Sequence, residues 1–122
     1  MEKIIGSWSL ESFTIEKNKN LLHWGKEPEG LLIYTKDGKM SVNIKCEKRM
    51  NIEDEDKFSN RILFYAGEYY IKENQIIHKV QFATNPDRVG KEMTRRFEFS
   101  DQKLILIGEG PFGIAKVTWE RK

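Results

Sequence analysis

Residues 65–108 read YAGEYYIKENQIIHKVQFATNPDRVGKEMTRRFEFSDQKLILIG. Apolar side chains recur at every second position through four runs, the signature of strands with one buried face. The joints KENQ and SDQK are too short for anything but hairpins, so neighbouring runs must pair antiparallel. The longer joint NPDRVG begins with Asn85, which can cap a turn whose first residue is Pro86.

The same period extends outward in both directions. Upstream, residues 4–16 (IIGSWSLESFTIE) read as a long first strand ending in the polar turn KNKN. LLIYT and KMSVNIK form a hairpin about Asp37 and Gly38, a pair suited to a tight turn with positive φ. Downstream, IAKVTWERK supplies a last strand. The segment 21–30, LLHWGKEPEG, reads as a loop that nevertheless carries Leu21, Leu22 and Trp24, and within 17–29 it suggests a flap near a cavity mouth. One interruption is expected: Ile52, Phe58, Ile62 and Leu63 fall roughly on one helical face behind an acidic first turn, which predicts a helix over 53–64.

The count is eight strands with one helix inserted after the third. Eight antiparallel strands joined mostly to their neighbours fit an up-and-down barrel, which leaves no open sheet edge and can be filled or hold one small ligand. A two-sheet sandwich is the alternative.

Composition narrows the classes. The 122 residues make one domain, 1–122, large enough for a single core. Lys and Arg number 21 against 19 acidic residues, a balance that gives no reason to expect nucleic acid or an anionic membrane as partner. A single cysteine, Cys46, permits no intrachain disulfide and fits a reducing compartment. With no signal-peptide pattern or membrane-length apolar run, a cytoplasmic protein is expected.

Several local patterns are weak as chemistry. The acidic run 53–56 lacks the ligand alternation and glycine of a calcium loop, and GEGPFG (108–113) lacks the Lys-Ser/Thr of a phosphate loop. His23, His78 and Cys46 are too dispersed to suggest zinc, so neither metal nor cofactor is expected. Cys46 has no visible general base, and Ser7 and Ser41 have no nucleophile-elbow context.

Alternation assigns inward faces: Tyr65, Gly67, Tyr69 and Ile71; then Ile76, His78, Val80 and Phe82; then Met93, Arg95, Phe97 and Phe99. His78 stands out on an apolar face, either as a core histidine bonded to a tyrosine hydroxyl or as an acid–base group. An inward Arg95 requires an internal acid or an anionic ligand group, since an unpaired buried guanidinium is expensive. Glu68 and Glu98, the nearest acids in these runs, face outward by the same count. Tyr34, Tyr69 and Tyr70 combine apolar bodies with polar tips, which suits either a cavity or an ordinary core.

Gly6-x-Trp8 on the first strand with Arg121 after the last resembles the lipocalin pattern, in which the Trp closes one barrel end beneath the Arg. A closer likeness spans most of the chain. Gly30, Leu32, Ile33, Tyr34, Thr35, Asp37, Gly38, Met40 and Ser41, then Asn85, Pro86 and Gly90, then Arg96, Phe97 and Glu98, resemble the bacterial and fungal lipocalin-like domain family. Trp24 departs from that pattern. The resemblance implies a calycin-type barrel with Gly6, Trp8 and Arg121 at its closed end. It emphasises Arg96, whereas alternation points Arg95 inward, so both stand as candidates beside Tyr34, Tyr69 and His78.

Three functions follow. The first is binding of a small apolar or amphipathic molecule, with or without an anionic group. The second is an isomerase, cyclase or hydratase using His78 as acid or base in the same cavity. The third is a filled barrel that binds a protein or another copy of itself. A role in nucleic-acid binding through TRRFEF is disfavoured by the near-zero net charge.

Overall fold

Short polar joints oblige most strands to fold back on their predecessors, and the described backbone mostly follows that rule. In the computed structural model the described residues are 2–23, 26–48, 62–110 and 113–121. They form strands β1 (Gly6–Lys17), β2 (Asn20–His23), β3 (Lys26–Tyr34), β4 (Lys39–Lys48), β5 (Ile62–Lys72), β6 (Gln75–Ala83), β7 (Glu92–Ser100), β8 (Lys103–Gly110) and β9 (Gly113–Arg121). Consecutive strands from β3 to β9 pair antiparallel, and β9 returns to pair with β1 from Trp8 to Glu16, which closes the sheet on itself.

Nine strands make eight staves. Thr14 has His23 on one side and Lys116 on the other, while Trp8 has Leu32 and Arg121. β2 and β3 therefore line up along the same edge of β1 as two pieces of one stave. The expected loop over 21–30 is to this extent corrected: backbone on both sides of residues 24–25 is strand. The pairing of β1 with β2 uses the turn at Asn18 and Lys19, both at positive φ.

The expected helix is also corrected. Most of 53–64 lies outside the described residues, but its last part, from Ile62, is strand paired with β4, with Leu63 opposite Ile44. The physical reason lies in the residues that follow. Leu63, Tyr65, Gly67 and Tyr69 share one face, and extending that alternation upstream buries Leu63 against the core. Among the described residues the only helical pieces are 3-10 turns, Glu2–Ile4 and Pro86–Arg88. The second is capped as the sequence suggests, with Asn85 Oδ1 accepting from the Asp87 N–H at 3.0 Å.

Two bulges set which side chains enter the barrel. Between Leu10 and Ser12 the register with β9 shifts, so Trp8 and Leu10 face in before the bulge and Phe13 faces in after it. On β6, Ala66 pairs with Phe82 but Gly67 with Val80, leaving Gln81 as the extra residue. That reverses the phase, and Phe82, expected inside, is 64% exposed while Ala83 packs on the core. Phe99, also expected inside, lies at the border beside Trp8 and Phe97, with ring centroids 6.4 and 5.8 Å away.

At the end where β1 begins, Trp8 is buried and its indole N–H donates to the Ile4 carbonyl at 3.0 Å. The Arg121 guanidinium lies 4.1 Å from the centroid of the Trp8 ring and donates to the Ile5 and Lys3 carbonyls. A side chain at Gly6 would start 2.9 Å from that guanidinium, so glycine there leaves room for Arg121. Trp24, the acidic run 53–56 and the side chains of Leu22, His23 and Cys46 lie outside the described residues.

Candidate functional site

The inward faces of β4 to β9 are apolar except at a few positions, and those positions converge. A cavity of about 70 Å³ lies among Phe13, Leu32, Val42, Ile44, Leu63, Leu106, Ala115 and Val117, with Tyr65, His78, Arg88, Arg95 and Trp119 as its polar-bearing walls.

His78 on β6 is fully buried between two tyrosines. Its Nε2 lies 2.7 Å from the Tyr34 hydroxyl and its Nδ1 lies 2.7 Å from the Tyr65 hydroxyl. Burial, and secondarily the nearby Arg95 guanidinium, pushes its pKa down to about 3. The ring is therefore neutral through the physiological range, with one nitrogen donating and the other accepting. Burial also raises the pKa of both phenols. For Tyr34 the neighbouring phenols Tyr65 and Tyr69 add to the rise; for Tyr65, Arg95 and Arg88 oppose it.

Tyr69 supports this group from behind. Its ring meets Tyr34 edge-on at 4.8 Å, and its hydroxyl donates to the Thr35 carbonyl at 2.8 Å. Tyr69 and Tyr34 thus belong to a packed aromatic cluster beside the cavity, and neither forms part of its wall.

The two arginines separate cleanly. Arg95 lies on the cavity wall and donates to the Thr94 carbonyl at 3.0 Å. A side chain at Gly108 would start only 3.0 Å from Arg95 Cδ and Nε, so the glycine on β8 provides the space in which the guanidinium lies. Arg96 points outward and pairs with Glu109 at 3.5 Å. Among the described residues no carboxylate pairs with Arg95. Glu68, one of the acids weighed for that role, is held by Lys39 at 2.9 Å, and this partner lowers its pKa.

Sequence reasoning missed three residues of this wall. Tyr65 carried a signal, since it stood on the inward face two residues before Gly67. Arg88 lies in a turn, where strand periodicity offers no phase, and its guanidinium carbon lies 6.0 Å from the centroid of the Tyr65 ring. Trp119 is almost wholly buried, and its indole N–H has no hydrogen-bond partner among the described residues. Among those residues no group of three His, Cys, Asp or Glu is placed to hold a metal ion. No helix among them is long and apolar enough to cross a membrane.

Residues 5–121 match the family described as the lipocalin-like domain, and the chain belongs to that family. Similar solved structures include a lipocalin-like protein from Bacteroides uniformis ATCC 8492, with TM-score 0.60 and 15% identity over 98% of this chain and 99% of that one. An uncharacterized protein from Bacteroides eggerthii DSM 20697 aligns with TM-score 0.52 and 15% identity, covering 98% and 99%. A mutant of the fluorescent protein UnaG aligns with TM-score 0.51 and 18% identity, covering 99% and 97%. These likenesses are of fold. No curated protein matches the sequence.

Proposed function

We propose that the barrel binds a small apolar or amphipathic molecule in the cavity between Tyr65, His78, Arg95 and Trp119. The observation that carries the reading is a mostly aliphatic cavity into which a few polar groups converge, the usual make-up of a small-molecule site. His78 and Arg95 contact the ligand, and Tyr34 and Tyr69 hold His78 and its surroundings in place. Arg96, on the outer wall with Glu109, is left out of the site. Gly6, Trp8 and Arg121 serve as the closure of the opposite end.

Binding is favoured over acid–base chemistry by the state of His78. A ring with both nitrogens engaged and a pKa near 3 stays neutral near neutrality, with no acidic imidazolium proton to give and little affinity for a second proton. The cavity itself weighs against a filled barrel. The exposed apolar residues Leu31, Tyr70, Phe82 and Ile114 are the features a protein-binding role would use. A cytoplasmic location agrees with the single cysteine.

Native mass spectrometry of the protein as purified, followed by denaturation and identification of released molecules, tests the proposal. A bound small molecule lost in His78→Ala and Arg95→Ala is the expected result. An apo mass that persists after exposure to mixed lipophilic metabolites would overturn it.

A further inference from the structure

The polar groups of the cavity wall share one property: every one is a donor or leads to one. Arg88 and Arg95 are cations that can only donate. The Trp119 N–H is a buried donor with no acceptor among the described residues, a rare condition that calls for an explanation. Among the described residues the wall contains no Asp, Glu, Asn, Gln, Ser or Thr side chain.

The histidine determines the sense of the remaining group. Among the described residues the Tyr34 hydroxyl has His78 Nε2 as its single hydrogen-bond partner, and Tyr34 is fully buried. Its hydrogen is satisfied only if Tyr34 donates to Nε2. The neutral ring then carries its proton on Nδ1 and donates to the Tyr65 oxygen. Tyr65 is left with its own hydroxyl hydrogen free to turn towards the cavity. The opposite arrangement would strand the Tyr34 hydroxyl hydrogen in the core, an unfavourable outcome for a buried donor.

We infer that the cavity selects an organic anion, a carboxylic acid on a short apolar body, whose head accepts hydrogen bonds from Arg88, Arg95 and Tyr65. This rests on the binding reading above and names the ligand class. An acid head supplies acceptors and charge where the wall supplies donors and two cations. The aliphatic wall formed by Leu32, Val42, Ile44 and Leu106 takes the body, and a short chain suits the modest volume. A cationic ligand meets two like charges, and a neutral alcohol leaves both guanidinium groups uncompensated.

Calorimetric or NMR titration at low salt with hexanoate, 1-hexanol and hexylammonium is the test, because the three share a chain and differ in the head. Hexanoate is expected to bind at least tenfold more tightly than 1-hexanol, with hexylammonium weakest. In the Arg88→Gln/Arg95→Gln double variant hexanoate falls to the level of 1-hexanol, while 1-hexanol itself is unchanged. Arg96→Gln, on the outer wall, keeps the preference and shows what loss of one outward charge does by itself. Equal binding of hexanoate and 1-hexanol by the wild type, or a preference that survives the double variant, overturns the anion assignment and leaves the binding reading intact. Silence towards all three also overturns the short-chain acid assignment, while the binding reading is decided by the mass-spectrometric test. The 15N resonances of His78 test the donor argument separately. A proton on Nδ1 is expected, and a proton on Nε2 would make Tyr65 an acceptor and overturn its part in the site.

Discussion

Lowering the pH should expose the cost of keeping His78 neutral. In the unfolded chain the imidazole titrates near 6.5; in the folded protein burial and Arg95 hold its pKa near 3. Between those values the unfolded chain binds a proton that the folded protein refuses, so stability falls as the pH falls. Each pH unit in that window removes up to about 1.4 kcal/mol, which gives about 3 kcal/mol at pH 4.5 relative to pH 7. Well above pH 6.5 both states are neutral and the group contributes no slope. The assay is urea unfolding at pH 7 and pH 4.5, followed by tryptophan fluorescence, for the wild type and His78→Gln. Carboxylates such as Glu68, whose pKa is lowered by Lys39, lose stabilisation in the same direction, but they are present in both proteins. The difference between the two pH dependences therefore isolates the histidine, whatever the variant does to absolute stability. Parallel pH curves for the two proteins would refute the argument that His78 is held neutral by burial.

Tyr65→Phe removes the acceptor of the His78 Nδ1–H and should cost about 1–3 kcal/mol at pH 7, the usual penalty for stranding a buried donor, read as a lower urea midpoint at unchanged slope. Arg121→Ala uncovers one face of Trp8 and should cost about 0.5–2 kcal/mol, the range for a cation over an indole; a red shift in native tryptophan emission is the accompanying signal.

Much of the fold was legible because strand alternation and turn chemistry agreed. KLILIG forms a strand as read, with Leu104 and Leu106 buried, and Gly38 turns where Asp37-Gly38 predicted. Residues 62–64 were misread because the spacing of Ile52, Phe58, Ile62 and Leu63 also satisfies a helical face, and the pairing with β4 that makes them strand is a long-range contact. Phe82 was misplaced because a bulge is one residue of slippage, which alternation alone does not reveal. The same sensitivity made Arg95 and Arg96 hard to choose between. No bulge intervenes on β7 across Arg95 and Arg96, and strict alternation puts Arg95 on the cavity wall. Arg88 joins the site through turn geometry, which a strand pattern does not encode, whereas Trp119 lies in phase with Ala115 and Val117 on β9 and was within reach of the same alternation.

The β1–β9 seam also constrains how the molecule is made. Trp8 on β1 pairs with Arg121 on β9, and Arg121 reaches back over a separation of 116 residues to the Ile5 carbonyl. On a ribosome, one flank of the first strand must remain without its partner until the ninth has emerged. Contacts of that span form late and slowly, and an open strand edge in the meantime is a template for pairing with other chains. Loss of β9 would remove more than one stave: it would open the flanks of β1 and β8 that β9 now covers. Its failure would therefore show first in yield and aggregation during synthesis.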